Sequence, residues 1–541
     1  MLKNILIATC ASTIVTPLIA ELIPELEIVN HEDTTLELPA IASPQEAVKS
    51  PVPPKIPLFT IDDKGAKLTG AGVEELQSDL IFVNNGAANR LSVEIDSQKG
   101  SSVLDVKGTT HFDKTSLHLI PSQNGIGLNT TYTLLKSAEI EGNFSEVSLE
   151  KVNPNLVKAA VILDKTMVQV SFIPSFANIA ISPNEKVIAS ILDHVVPSSP
   201  FAKSFLGALV EIPDPDALRV IDELSGNQHT VDLFTNSVLT RNFLRRLYDP
   251  IRDWVTTLPC QSYEMECYSG IDTWIEGGYA RQTMRNNGNG FGYNSSGWEL
   301  TFGFQNHFNS EWIAGVAGSY VTQTLDYNLG GHGDLTGGFA GFYVLYRPEY
   351  FYALGNVAYG STQNHIFRKA RAGNVALNAH SRPETTEWGF YAESGVDLPV
   401  LDILVQPFVG IEGFTARRGS FTEEDGDLFN LAVSKKDRAT AASRLGLHVS
   451  TTEWYSDFSF SVDIAWQYLL TTSHSDLWLK FDTFGPQFLT QGVKIPRNSA
   501  DGAITLEYLP DETVEFYGQF AGQVWSNITS FSVLVGLQLR W

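Results

Sequence analysis

The segment 531–541 alternates between apolar side chains and small or polar ones, and this pattern constrains the fold of the chain most. Its odd positions are all apolar: Phe531, Val533, Val535, Leu537, Leu539 and Trp541. Its even positions are small or polar apart from Leu534. Because successive side chains of a strand point to opposite faces, the segment predicts a β-strand with one apolar face and one polar face, ending on an aromatic residue.

The same alternation recurs through the C-terminal half and divides it into twelve predicted strands. They are expected at 270–284, 293–307, 311–325, 334–347, 350–366, 384–398, 401–417, 438–451, 455–470, 500–509, 513–525 and 530–541. Short turns and longer loops connect them in turn, and aromatic residues cluster near their ends, as in outer-membrane barrels. A soluble β-sandwich also alternates, but it would not combine these features. We therefore predict a mainly β protein whose residues 270–541 form a twelve-stranded antiparallel transmembrane β-barrel.

Composition and charge narrow the classes of function. The formal net charge of −24 argues against a nucleic-acid partner, which requires a basic surface. Charged residues make up 18% of the chain, fewer than a soluble acidic protein usually carries. Beyond the N-terminus, the sequence holds no apolar stretch long enough for a membrane-spanning helix.

The N-terminal residues predict export. Lys3 precedes an apolar stretch that ends near Ala20, so residues 1–20 are expected to be a cleaved signal peptide. A membrane anchor is the alternative, but the stretch is short and polar residues interrupt it. Residues 21–58 are rich in Pro and Glu, which predicts a flexible arm.

Two cysteines follow the predicted signal peptide, Cys260 and Cys267. In an exported chain, such a close pair favours a local disulfide. Two unpaired thiols, or pairing with another molecule, are the alternatives.

The middle of the chain divides into a β-rich part and a helical part. Residues 59–182 contain short β-prone runs that resemble a few rungs of a parallel β-helix, without a clean fixed-period repeat. Residues 183–269 predict a helical linker, with helices that open at Pro183 and Pro215. A further predicted helix, 229–249, would be about 30 Å long.

Several motifs together resemble a known family, the bacterial autotransporters of type Va secretion. They are Gly297-Trp298-Glu299-Leu300, Glu311-Trp312-Ile313-Ala314-Gly315-Val316, Ser182-Pro183-Asn184-Glu185 and Gly536-Leu537-Gln538-Leu539-Arg540-Trp541. The resemblance implies an outer-membrane barrel, a helix that threads its lumen, and an upstream passenger at the cell surface. It also implies outer-membrane lipid, the barrel-assembly machinery, periplasmic chaperones and a host or surface ligand as partners, with no cofactor. Phe82-Val83-Asn84-Asn85 is similar to a short repeat of the chlamydial polymorphic membrane proteins.

The helix 229–249 is expected to carry a positive charge that complements acidic residues on the wall of the barrel. Its basic residues, with one beyond Pro250, are Arg241, Arg245, Arg246 and Arg252. The strand register places Glu299, Asp463 and Glu515 on the wet face, so we expect these carboxylates to line the lumen and pair with the arginines. A surface helix with solvated arginines is the alternative. Self-cleaving members of the family carry an Asn pair in this helix, whereas here Asn236 and Asn242 stand singly, so we expect the passenger to stay attached.

No catalytic motif stands out. The passenger lacks Gly-Asp-Ser-Gly and Gly-Asp-Ser-Leu sequences, and His111 and His118 are better explained as strand residues than as metal ligands. The run 423–427, Glu-Glu-Asp-Gly-Asp, predicts an acidic extracellular loop that faces solvent, or that binds cations loosely with lipopolysaccharide, rather than a calcium site. We expect a non-enzymatic protein that displays its passenger, with adhesion as the suggested role. A structural or channel-type barrel and a passenger hydrolase are the alternatives.

Overall fold

The computed structural model describes residues 58–62, 65–82, 89–248, 270–309, 311–348, 350–451, 458–471, 475–511 and 513–541. All of them belong to one unit, Pro57–Trp541. The predicted signal peptide, nearly all of the predicted arm, Arg252, Cys260 and Cys267 lie outside the described residues.

The passenger is a short parallel β-helix. Its strands are β1 (Phe59–Asp62), β2 (Gly65–Leu68), β3 (Gly72–Leu76), β4 (Leu80–Phe82), β5 (Arg90–Asp96), β6 (Gly100–Pro121), β7 (Thr131–Leu149), β8 (Val157–Leu163) and β9 (Met167–Pro174). Leu80 of β4 pairs with Thr110 of β6, and Thr110 pairs with Ile140 of β7, so these rungs lie 30 residues apart, and register shifts give offsets of 29 or 31 at a few other positions. The antiparallel hairpin β8–β9 pairs with β7 and ends the stack.

This regular spacing is absent from the sequence because equivalent positions carry unrelated side chains. One outward column holds Ile81, His111 and Glu141, which share neither size nor charge. Inside the stack, the rings of Phe82 and Phe112 lie 5.4 Å apart. Backbone hydrogen bonds and this inward packing, rather than a repeated motif, therefore define the rungs.

Gly142 of β7 pairs with Phe112 of β6, and we predict that this position tolerates no side chain. Its φ is +87°, and an added Cβ would overlap the carbonyl oxygen of Phe112. Gly142→Ala should destabilise the passenger by about 2–4 kcal/mol, from the left-handed backbone and the overlap together. Gly100→Ala is the matched control, since Gly100 has a φ of +91° with open space around it. Hydrogen exchange of the β6 and β7 amides in the full chain measures both, and equal exchange in the two variants would contradict the prediction.

Four helices follow the passenger: α1 (Pro183–Leu192), α2 (Pro200–Leu209), α3 (Asp214–Leu224) and α4 (Asp232–Arg246). Ser182 and Glu185 form a capping box at the start of α1, and the Ser199 side chain accepts a hydrogen bond from the Ala202 N–H at the start of α2. The sequence reading missed α2, although Ser199 followed by a proline is the signal for such a start. The predicted helix 229–249 is split, since a 3₁₀ turn over Asn227–Thr230 precedes α4. No described helix is long and apolar enough to cross a membrane.

The described residues of the C-terminal half contain eighteen strands. They are β10 (Ile271–Met284), β11 (Tyr293–His307), β12 (Trp312–Tyr327), β13 (His332–Tyr346), β14 (Phe351–Ala372), β15 (Val375–Ser381), β16 (Glu384–Val396), β17 (Leu398–Val400), β18 (Ile403–Arg418), β19 (Phe421–Thr422), β20 (Leu431–Val433), β21 (Lys436–Thr451), β22 (Phe458–Leu469), β23 (Leu477–Phe481), β24 (Phe488–Thr490), β25 (Asn498–Asp511), β26 (Val514–Val524) and β27 (Ile528–Arg540).

Twelve of these strands form one closed antiparallel barrel, so the predicted fold is confirmed. They follow each other in the order β10, β11, β12, β13, β14, β16, β18, β21, β22, β25, β26 and β27, and β27 pairs with β10 to close the ring. Apolar side chains point outward, as Phe302 at 54% and Ile464 at 63% exposure show. Polar side chains alternate with them and point into the lumen.

The two ends of the barrel differ. At one end, called the turn end, the strands are joined by short turns such as 308–311 and 347–350. At the other, called the loop end, the long loops contain four short strands that form a separate sheet in the order β19, β20, β23, β24. Apolar residues of this loop sheet, of α1–α3 and of the passenger form one continuous core.

Candidate functional site in the lumen and at its mouth

Helix α4 lies inside the barrel and contacts the wall on several sides. The Thr235 hydroxyl donates to the Tyr293 hydroxyl of β11 at 2.9 Å, and the Asn356 side chain of β14 donates to the Leu244 carbonyl at 2.9 Å. The Thr240 hydroxyl hydrogen-bonds the Glu387 carboxylate of β16. Because the wall lines a polar lumen, it offers hydrogen-bond partners to a buried helix of low hydrophobicity.

Arg241 is held to one side of the wall. Its guanidinium lies 2.7 Å from the Glu412 carboxylate and stacks over the Phe414 ring, 5.1 Å from its centre. Both charged side chains are buried. Removing one partner of such a pair is far more costly than removing an exposed one, because the other charge stays buried.

Arg245 and Arg246 meet acids on other strands of the wall. Arg245 lies 3.2 Å from Asp501 of β25. Arg246 lies 3.5 Å from Glu276 of β10 and 3.8 Å from Glu299 of β11. The predicted lumen acid Glu299 therefore faces a helix arginine.

The other two predicted acids have contacts within the wall. Asp463 lies 3.0 Å from the Nδ1 of His448, on the neighbouring strand. Glu515 lies 2.5 Å from Arg540 of the terminal strand. Both carboxylates are buried and point inward, as the register predicted, and these contacts pair them with wall residues.

Sequence reasoning missed three acids that pair with the arginines of the helix: Glu276, Glu412 and Asp501. The signal was available, since each stands at an inward position of its predicted strand. Parity alone could have named them as lumen residues. Parity could not have shown which inward acids meet the helix, because it does not give the depth of each arginine along the barrel axis.

The terminal strand presents its oily face outward. Exposure is 41% for Phe531, 45% for Val533, 64% for Val535 and 73% for Trp541, while Leu537 and Leu539 are half-buried. Leu534, the exception to the alternation, is buried and points into the lumen. A role of the outward residues as an assembly signal stays a prediction.

Reversing the charge of Arg245 tests whether the helix blocks the lumen. Arg245→Glu would bring a second carboxylate towards Asp501, so we expect a stability loss of about 3–5 kcal/mol and a larger single-channel conductance in planar bilayers. Arg285→Glu makes the same change of net charge at an exposed position and is the control. Unchanged conductance and stability of the Arg245 variant would argue against a plug.

At the loop end, a fully buried ion cluster fixes the start of α4. The Arg368 guanidinium of β14 binds Glu423 at 2.5 and 2.8 Å, and the Nε2 of His229 lies 2.7 Å from the same carboxylate. The backbone N–H of Leu431 also donates to it at 2.9 Å. Burial alone would raise the pKa of Glu423, but the charge and hydrogen bonds of Arg368 and His229 outweigh it and hold that pKa at about 2.

A second buried pair completes this cluster. Arg418 of β18 binds Asp232, the first residue of α4, at 2.5 Å and donates to the His229 carbonyl at 3.1 Å. We call Glu423, Arg368, His229, Arg418 and Asp232 the mouth cluster. It joins two barrel strands, a long loop and the start of the lumen helix.

The prediction that the run 423–427 is a solvated acidic loop is wrong for its first residue. Glu424 and Asp425 have side chains that are 77% and 79% exposed. Glu423 is buried because its side chain binds the buried Arg368 of β14. Among the described residues, no group of three His, Cys, Asp or Glu side chains is arranged to hold a metal ion.

A second buried acidic site lies where α1 packs on α3. Burial raises the pKa of Asp222 to about 7, and the adjacent carboxyl of Glu185 adds to the shift. Glu185 is occupied by its own hydrogen bonds, since it accepts from the N–H groups of Ile181 and Ser182 at 2.6 and 2.7 Å. The folded protein therefore disfavours the ionised form of Asp222.

Comparisons with known proteins agree with this architecture. Residues 273–521 match the family model described as "Autotransporter beta-domain". A comparison with curated proteins finds no match. The chlamydial resemblance rests on residues that lie mostly outside the described ones, and it stays a prediction.

Among solved structures, the chain is similar to the translocator domain of the autotransporter NalP from Neisseria meningitidis, with 13% identity, a TM-score of 0.46 and coverage of 57% of this chain and 96% of that one. The β domain of the Bordetella autotransporter Brka gives 14% identity, a TM-score of 0.39 and coverage of 50% and 100%. The transport unit of the autotransporter AIDA-I from Escherichia coli gives 14% identity, a TM-score of 0.35 and coverage of 55% and 99%.

The twelve-stranded closed barrel and the family model that matches its strands lead to one conclusion. Residues 273–521 are an autotransporter β-domain, so the chain contains an outer-membrane autotransporter barrel that carries the passenger at the cell surface.

Proposed function

We propose that this autotransporter keeps its passenger attached and displays it as a rigid, non-enzymatic adhesive module. The observation that carries the proposal is the shared core, in which passenger, helices α1–α3 and the loop sheet pack together. Phe205 of α2, for example, lies 5.1 Å from Phe429 of a barrel loop. A passenger built into the mouth of its own barrel suits display better than release.

Hydrogen bonds across the same junction support attachment. The Asn184 side chain donates to the carbonyl of Gln491 at 3.0 Å and accepts from its N–H at 2.8 Å. The Thr490 hydroxyl donates to the Ser225 carbonyl at 2.7 Å. These contacts pin α1 and the end of α3 to the loop that contains β24.

The adhesive surface is proposed at the end of the passenger farthest along the stack from its closing hairpin. Three apolar side chains are widely exposed there, with Ile61 at 71%, Val73 at 61% and Ile81 at 60%. Exposed apolar side chains on one end of a rigid domain are typical of contact surfaces. The filled lumen speaks against the alternative of an open channel.

Cells that display the full chain test this proposal. We expect antibodies against 100–121 to label intact cells, blotting to find no released passenger, and the cells to adhere to host-cell or abiotic surfaces better than cells without the chain. Val73→Asp with Ile81→Asp should reduce adherence several-fold at equal labelling. Ile162→Asp is the control, since Ile162 is 51% exposed on the closing hairpin. Adherence that equals that of cells lacking the chain, or that ignores the double change, would overturn the adhesive role.

A further inference from the structure

The connection between β16 and β18 differs from two other connections at the turn end. Strands β16 and β18 continue past the barrel as a hairpin, in which β17 pairs Leu398 with Val405 and Val400 with Ile403. We call residues 396–405 the apolar hairpin. Its sequence is Val-Asp-Leu-Pro-Val-Leu-Asp-Ile-Leu-Val, with charge only at Asp397 and Asp402, whereas at least half of the residues in the shorter connections 308–311 and 347–350 are polar or charged.

Side chains of the apolar hairpin are exposed along its outward face. Exposure is 45% for Val396, 48% for Leu398, 49% for Val400 and 37% for Ile403. These positions continue the same parity as the lipid-facing residues higher on β16 and β18. The hairpin is therefore an uninterrupted extension of the face that the barrel presents to the membrane.

The tip of the apolar hairpin combines exposure with backbone strain. Leu401 is 95% exposed and has a φ of +56°. In a two-residue hairpin turn, glycine or asparagine normally occupies a position of positive φ, and leucine there is disfavoured by about 1–2 kcal/mol. In water, no contact of the Leu401 side chain would offset this backbone strain. Contact with an apolar partner would offset it.

The base of the hairpin is fixed, so the tip cannot fold back onto the barrel. Asp397 binds Arg347 at 2.9 Å and accepts a hydrogen bond from the Gln406 side chain at 2.6 Å. Its backbone N–H donates to the Tyr350 carbonyl at 2.9 Å. The hairpin direction is thereby set by contacts on both sides.

The hairpin reaches beyond the aromatic residues that mark the membrane boundary. Trp312 and Tyr346 stack 4.4 Å apart, with Phe351 beside them, and Phe351 pairs with Val396. From Val396 to Leu401 the strand advances about 16 Å, or about 12 Å along the membrane normal at a tilt of about 40°. The headgroup layer is only about 6 Å thick on each side.

We propose that the apolar hairpin inserts into the phospholipid of the inner leaflet and that the barrel tilts towards it, or the bilayer thickens around it, until the tip is covered. The passenger lies at the cell surface on the loop end, so the turn end faces the periplasmic leaflet. Continuity with the lipid-facing wall selects lipid as the occupant. Tilting or local thickening at this modest scale is the usual response of a bilayer to an apolar surface of unequal height.

Spin-label accessibility tests the proposal with the full chain in phosphatidylethanolamine and phosphatidylglycerol vesicles. Leu401→Cys and Leu398→Cys are made in a background where the three native cysteines are serine, and heat-modifiable migration verifies folding. We expect both labels to collide more often with oxygen than with a water-soluble nickel complex, and the label at 398 to lie deeper than the label at 401. The controls are Glu311→Cys in a polar turn and Val316→Cys on the lipid-facing wall, 52% exposed.

Two results would overturn the proposed insertion of the apolar hairpin into lipid. A label at 401 that meets the nickel complex as often as the label at 311 would place the tip in water. Labels shielded from both reagents would place it against a protein. If the variant at 401 does not fold, the label at 398 decides between the same outcomes.

Discussion

Replacing Glu423 by glutamine is expected to open the mouth of the barrel, with a loss of about 3–5 kcal/mol in folding free energy. Glu423 and Arg368 are both fully buried, and the neutral variant leaves the guanidinium of Arg368 without its counter-charge. His229 then faces a neutral amide in place of the carboxylate. The start of α4 and the loop sheet should therefore loosen together, because the mouth cluster joins them.

Hydrogen exchange of the amides in 227–233 and 421–433 measures this loss in the full chain. Glu424→Gln is a close control, since the Glu424 carboxylate is 77% exposed and its loss should change stability by less than about 0.5 kcal/mol. If both variants exchange like the parent protein, the mouth cluster does not hold the junction.

The same cluster predicts an acid limit to stability. Glu423 has a folded pKa of about 2 against an ordinary value of 4.5, so the folded state favours its charged form. Its contribution is complete above about pH 4.5 and is lost as the pH falls from there towards 2. The Glu423→Gln variant should lack this part of the acid sensitivity.

Replacing Asp222 by asparagine is expected to have the opposite effect and stabilise the helices above the mouth. The folded pKa of Asp222 is about 7 against an ordinary value of 3.8, so the folded state favours its protonated form. Stability is therefore highest at low pH and falls as the pH rises from about 4 to about 7. At pH 8 the variant should gain about 2–4 kcal/mol, since each unit of pKa shift corresponds to about 1.4 kcal/mol.

The α1 and α3 amides report this gain through hydrogen exchange between pH 5 and pH 9. Asp216→Asn removes an exposed carboxylate from the same helix and should leave the pH profile unchanged. A parent protein whose α1 and α3 amides exchange with the same free energy across this range would show that Asp222 is ionised without penalty.

Much of the barrel could be predicted from the sequence because alternation is a local property. Each predicted strand overlaps an observed one, and the outward face of Phe531 to Trp541 follows from parity alone. The long loops were harder, because short strands such as β19 and β20 have too few residues to alternate. Their pairing depends on a neighbouring loop more than forty residues away, β23, which only the folded chain brings near.

The lumen shows the same division. That its wall would be acidic and its helix basic follows from composition and parity at Arg241, Arg245 and Arg246. That Arg241 meets Glu412, while Asp463 meets His448, depends on the stagger of the strands and on the depth of the helix.

The sequence by itself determined the barrel, its oily exterior and the helical starts capped by serine, because these depend on neighbours one to four residues away. Only the tertiary structure decided that Glu423 is buried while Glu424 is exposed, and that unrelated residues stack at intervals of 30 in the passenger. Those outcomes depend on partners distant in the chain, whose charge and hydrogen bonds decide whether a polar group can leave water.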